Sequence, residues 1–323
     1  MTKQNSSMES RELVKEAILH RSTERTPYAI DLCSDTWEAI RKVVTDKTAE
    51  EFIDNDVKDF TCPWWDWHQL ASDWTGPDVP ISRATVIGTC SYSEFIDALK
   101  KSRETSDKYF LVRIYGSHFE KAYFSRGIEN FLADMAGQKD FARGLLSRII
   151  EKNLVMLENI LALKEIDGIL LGSDWGSQRN LLMSPGIWEE MIRPGEQKEY
   201  DLCHAYGKDV WVHSCGCIEP IIPALIEMGL DVLNPVQPEA MDLGELKRKY
   251  GDKLTFWGGI STQQTLPYGT PEEVKKEARW VRDLMSQNGG YIFSPAQSIQ
   301  ADVPVENILA LLEVAREKVS QKD

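Results

Sequence analysis

Short apolar runs of strand length recur through this chain, and longer segments with helical spacing lie between them. The runs fall at 110–114, 168–171, 210–212, 232–233, 254–257 and 291–293. Residues 188–206 and 272–287 are two of the intervening helical segments. Strand, helix and strand in alternation predict a parallel sheet. At 323 residues the chain has the size of a barrel of alternating strands and helices built as one unit. We therefore expect a single α/β domain over 1–323, a (β/α)8 barrel with an N-terminal helical and loop elaboration. The segment 1–85 is expected to cap or lid a main barrel formed by 86–323.

Local signals mark several element ends. Ser184-Pro185 and Thr270-Pro271 each set a capping hydroxyl before a proline at the first helical position. Thr270 with Glu273 fits a capping box, and Gly207 stands where a helix C-cap glycine belongs. Upstream, 11–20 reads as a helix, 28–32 as a first strand, and 36–47 and 48–52 as helical. An aromatic loop comes next, Cys62-Pro-Trp-Trp-Asp-Trp-His68. Its Trp64, Trp65 and Trp67 can wall a pocket or stack on a ring, or simply pack under the loop.

Charge and composition exclude some function classes. A formal net charge of −14 repels nucleic-acid phosphates. No stretch approaches the ~18 apolar residues of a membrane span. The polar residues 1–12 lack the apolar core of a secretory signal, so a cytoplasmic protein is expected. Six cysteines, including Cys215 and Cys217 on either side of Gly216, do not form a disulfide framework, and a reduced compartment is the simple reading.

The loops at the C-terminal ends of the strands carry the functional information. Their sequences are Ser173-Asp174-Trp-Gly-Ser-Gln178, His213-Ser-Cys215-Gly-Cys217, Asn234-Pro-Val-Gln237, Gly258-Gly-Ile-Ser261 and Ser294-Pro-Ala-Gln297-Ser-Ile-Gln300. In a parallel barrel such loops open on one face, where the active site sits. Any one of them is ordinary turn chemistry. Five together offer hydroxyls, amides, a carboxylate, an imidazole and thiols to one place. His213 and Cys215, two apart at a strand end, put an imidazole and a thiol on the same side of the backbone, a pair suited to zinc. A catalytic zinc takes three protein ligands, and Cys217, Asp174 or the Gln297 loop are the candidates for the third. The plain alternative is a packed cysteine and a hydrogen-bonding histidine.

From about Asp167 to Asn307 the chain resembles the uroporphyrinogen decarboxylase-like superfamily, in particular its cobalamin-dependent methyltransferase branch. The resemblance rests on Ser-Asp-Trp-Gly-Ser-Gln (173–178), Ser184-Pro185 with Trp188, His-Ser-Cys-Gly (213–216), Asn-Pro-Val-Gln-Pro (234–238), Gly-Gly-Ile-Ser (258–261), Gly-Thr-Pro-Glu-Glu (269–273) and Gly-Gly-Tyr-Ile (289–292). It implies a TIM-type barrel, a homodimer, and a zinc held by a His-x-Cys pair and a later cysteine. His213 and Cys215 match the pair; Gln297, a poor ligand, stands at the later position.

The resemblance implies the methyltransferase component of a corrinoid-dependent demethylation system. Such an enzyme moves a methyl group from a small methylated compound, such as a methoxylated aromatic or a methylamine, to cobalamin on a partner protein. Asp174 and His213 are the expected catalytic residues. Gln178, Gln237, Gln300, Trp65, Trp67 and Trp257 are expected to hold the substrate. Two other readings stand beside it. One is a metal-free decarboxylase of an electron-rich ring, although the arginine-rich motif that grips a porphyrinogen is absent. The other is a non-catalytic binding protein on an enzyme fold.

Overall fold

The computed structural model describes residues 8–65, 86–87, 91–114 and 116–318. Trp67, one of the expected substrate contacts, lies outside them. The strands are β1 Val57–Thr61, β2 Trp64–Trp65, β3 Val86–Ile87, β4 Tyr109–Arg113, β5 Gly168–Gly172, β6 Asp209–His213, β7 Val232–Asn234, β8 Thr255–Ile260 and β9 Tyr291–Pro295. The six apolar runs are all strands. In sheet order the larger set runs β1-β4-β5-β6-β7-β8-β9, with β2 and β3 as a separate antiparallel pair. Pairing is parallel between β4 and β5, β5 and β6, β7 and β8, and β8 and β9. The fold is thus parallel α/β, with seven strands in that sheet among the described residues rather than the expected eight.

The chain divides into two compact units, one of residues 1–58, 107–109 and 231–323, the other of 59–106 and 110–230. In the second, β5 pairs with β6 along its whole length, and Gly172 lies opposite His213. The long helix Lys139–Leu161 and the helix Arg193–Ala205 pack on each other. Their apolar faces join Phe119, Trp175, Trp188 and Trp211, all buried, in the core. Residues 188–206, expected as one helix, form two, Pro185–Met191 and Arg193–Ala205. The cause is Pro194, whose ring cannot continue a helix and has no N–H to donate, but which fits a first turn.

In the first unit β8 lies between β7 and β9. Helices Pro271–Met285 and Val305–Ala315 pack together. The capping box at Thr270 is present, with its hydroxyl accepting from the Glu273 amide. Residues 28–32 are not a full strand. They meet β9 and its extension at two isolated parallel bridges, Tyr28 to Phe293 and Leu32 to Ile299.

Asp56 fixes this segment. Its buried carboxylate accepts from the Tyr28 amide at 2.9 Å, from Ser10 Oγ at 2.6 Å and from both terminal nitrogens of Arg25. Removing one partner of a buried pair leaves the other charge uncompensated. Asp56→Ala is expected to lower stability by about 3–5 kcal/mol, read as an earlier urea midpoint at unchanged slope.

Candidate functional site

The register of β5 and β6 builds the site. Gly172 and His213 are opposite one another, so residues two places beyond each strand position come side by side. These are Asp174 and Cys215. The Ser173 amide bonds the His213 carbonyl at 2.8 Å, and the Cys217 amide bonds the Ser177 carbonyl at 2.8 Å. Between them the Trp175 amide meets Ser214 Oγ at 3.2 Å. Glycine makes this approach possible. A Cβ on Gly176 would meet the Cys215 carbonyl oxygen at 2.5 Å, and Gly216 holds a positive φ of 80°. Trp175, edge-on to Trp188 at 5.6 Å, anchors the first loop in the core.

Three donor side chains converge there. His213 Nε2 lies 3.2 Å from Cys215 Sγ and 3.9 Å from Asp174 Oδ1. The same Asp174 oxygen accepts the Cys215 amide at 2.8 Å, which fixes the carboxylate beside the thiol. All three are half-exposed, so an ion and a substrate can reach them. Their ligand atoms lie within 4.8 Å of one another. Zinc bonds of roughly 2.0–2.3 Å in a tetrahedron put neighbouring donors about 3.3–3.8 Å apart. The nitrogen, sulfur and oxygen set therefore fits zinc, with a fourth position open.

Of the candidates for a third ligand, Asp174 falls within the donor group and Cys217 does not. Gln297 lies in the other unit, just beyond β9. None of the five described cysteines forms a disulfide. Among the expected substrate contacts, Gln178 is exposed in the loop after β5. Gln237, buried, and Gln300, exposed, belong to the other unit, where Gln300 Nε2 meets Cys33 Sγ at 2.9 Å. Trp257 is buried in that unit, and its indole N–H donates to the Ala29 carbonyl at 3.0 Å. Trp65 pairs by its backbone with Val86. The Gly258–Ser261 motif leads to a cavity of about 720 Å³ lined in part by Glu239, Ser261, Gln264 and Trp280.

One further group escaped the sequence reading. His118, Glu196 and Glu199 are buried together, with ligand atoms within 4.8 Å. Burial pushes the Glu196 carboxyl up to about 8 and holds the His118 imidazole down to about 4. It also raises Glu199 and lowers its neighbour Lys121. A signal was present: the inward face of helix Arg193–Ala205 is Glu196, Glu199, Tyr200 and Cys203, an i, i+3, i+4, i+7 stripe that begins with two carboxylates.

Comparison with known proteins adds three findings. A family model described as uroporphyrinogen decarboxylase (URO-D) matches residues 94–318. Two curated proteins, both "Methylcobamide:CoM methyltransferase MtaA" and both from Methanosarcina barkeri, one of them from strain Fusaro / DSM 804, are 28% and 26% identical over 131 residues. That match is 41% of this chain but spans only 36% of each relative. A solved structure, "methyltransferase from Methanosarcina mazei", superposes with a TM-score of 0.69 at 15% identity, over 96% of this chain and 98% of its own. At that identity the likeness is one of fold.

Proposed function

The chain belongs to the uroporphyrinogen decarboxylase family, and on that footing we propose that it is the methyltransferase component of a corrinoid-dependent system. It would take a methyl group from a small methylated compound, with methoxylated aromatics and methylamines as the first classes to try. The acceptor would be cobalamin on a partner protein. The observation that carries this reading is the Asp174, His213 and Cys215 donor set at two adjacent strand ends. The activity of the matched relatives supports it, since they are methyltransferases named for a methylcobamide.

In this reading His213 Nε2 and Cys215 Sγ hold a zinc, and Asp174, one of the three candidates, takes the third place rather than Gln297, where the family resemblance puts the later ligand. Bound there, zinc supplies a Lewis acid for the heteroatom that gives up the methyl group. The protein's own part is to fix geometry. The Cys215 amide holds Asp174 Oδ1, and the paired loops keep imidazole, thiol and carboxylate within reach of one substrate atom. The heteroatom leaves with the electron pair of its bond to methyl, and a proton must then reach it from solvent or from a side chain. Gln178, Gln237, Gln300, Trp65, Trp67 and Trp257 are proposed to orient the substrate. The same reading takes the active form as a cytoplasmic homodimer.

The test is spectroscopic. The full chain is mixed with cob(I)alamin and a panel of methoxylated aromatics and methylamines, and formation of methylcobalamin is followed in the visible range. Turnover with one of them supports the proposal. If none reacts, and carbon dioxide is released from an aromatic carboxylate instead, the decarboxylase alternative replaces it. Asp174→Asn separates the roles of the carboxylate. The amide oxygen keeps the bond from Cys215 N but is a poorer ligand. We expect zinc affinity to fall about 10–100-fold, as for changes beside a metal ligand. An unchanged zinc affinity with a slowed rate would instead make Asp174 the acid.

A further inference from the structure

Three ligating side chains lie buried together in one unit, and the proposed methyl-transfer site uses none of them. His118 opens the helix His118–Arg126, and Glu196 and Glu199 share a face of the helix Arg193–Ala205. The three are 0–2% exposed. His118 Nδ1 and Glu196 Oε1 are 3.3 Å apart. Yet no well-formed hydrogen bond reaches either ring nitrogen of His118 or either carboxylate oxygen of Glu196, although the Ile192 backbone and the Tyr200 hydroxyl lie near enough to act on them. Each buried polar atom left this way costs about 1–3 kcal/mol. A buried imidazole and carboxylate that face each other this way depart from the rule that interiors satisfy their polar groups.

We propose that His118, Glu196 and Glu199 bind a divalent first-row transition-metal cation. One imidazole and two carboxylates, with no thiol, form a donor set that suits manganese, iron or zinc. Such an ion would meet the bare oxygens and the imidazole at once, and would tie the two helices together.

Access and space support the assignment. His118 lines a cavity of about 200 Å³ with Ser147, Glu190, Gly195 and Lys198. Glu190 and Lys198 supply polar groups along this route. A Cβ on Gly195 would meet His118 Nε2 at 2.7 Å, so the glycine keeps room for the ring.

The experiment starts from a His213→Ala/Cys215→Ala protein stripped with chelator, so that binding at the strand-end site is disabled. The full chain is titrated with Co²⁺ alone, with stoichiometry from equilibrium dialysis and visible absorption recorded throughout. We expect one Co²⁺ per chain, weak visible bands without thiolate charge transfer, and a higher thermal midpoint. Adding the near-isosteric Glu196→Gln change is expected to weaken binding at least about 100-fold. No binding by the first variant, or undiminished binding after Glu196→Gln, overturns the proposal. The first variant decides alone if the second does not fold. Because the His213 and Cys215 donors are absent throughout, the result is independent of whether methyl transfer is the right function.

Discussion

Under the proposed function, replacing Cys215 with alanine is expected to slow methyl transfer about a thousandfold while the protein stays folded. A Lewis acid contributes several kcal/mol to the transition state, and about 4 kcal/mol corresponds to that factor. The fold should tolerate the change. The side chain is half-exposed, and the backbone amide that holds Asp174 is kept. Two readouts are needed. The rate comes from the cobalamin spectrum. The thiolate charge-transfer band of the cobalt-substituted wild type should vanish in the variant, since Cys215 is the thiol of the donor group. A variant within tenfold of the wild-type rate would remove the thiolate, and the zinc with it, from the chemistry.

The largest effect on stability is expected at Gly258. This residue sits inside β8 with a positive φ of 128°, a region side chains rarely enter. The Pro235 carbonyl oxygen occupies the place where a Cβ would go, and that same oxygen accepts the Gly259 amide at 3.2 Å. Tyr291 clamps the strand from the other side, its hydroxyl donating to the Gly258 carbonyl at 2.7 Å. Gly258→Ala therefore combines backbone strain with a clash against rigid backbone. We expect a loss of about 4 kcal/mol or more, enough to deplete the folded state of a chain stable by roughly 5–15 kcal/mol. Gly137→Ala, where nothing lies within 4 Å of the new atom, is the control and should be neutral or slightly stabilising. Equal denaturant midpoints for the two variants would refute this account of β8.

Particular residues show how much of the molecule was legible in the sequence. The strands at 110–114, 168–171, 210–212 and 291–293 announced themselves because parallel strands are covered on both faces and so read as unbroken apolar runs. β1 did not. Its residues Val57-Lys-Asp-Phe-Thr alternate between half-exposed and exposed beyond the first and carry two charges. Residues 28–32 were expected as a full strand, but the chain there is held by Asp56 and Asn55 side chains as well as by two bridges.

The site was legible in part, for a related reason. His213 and Cys215 stand two apart at one strand end, so spacing alone joined them. Asp174 joined them only through the register of β5 against β6, which periodicity does not encode. Glu196 and Glu199 were lost because charged residues on a helix are ordinarily taken as its wet face. Their neighbours Tyr200 and Cys203 mark that face as the dry one.

The division of the chain into units has a consequence for its synthesis. Residues 8–58 emerge from the ribosome well before 231–323, with which they belong. The intervening 110–230 can complete its own packing while the nascent chain is still growing. At about 5–20 residues per second, the ninety-odd residues of 231–323 take roughly 5–20 s to arrive, and until they do Tyr28 and Leu32 lack their partners Phe293 and Ile299. Residues 8–58 are thus a part of the newborn polypeptide that waits for its packing partner.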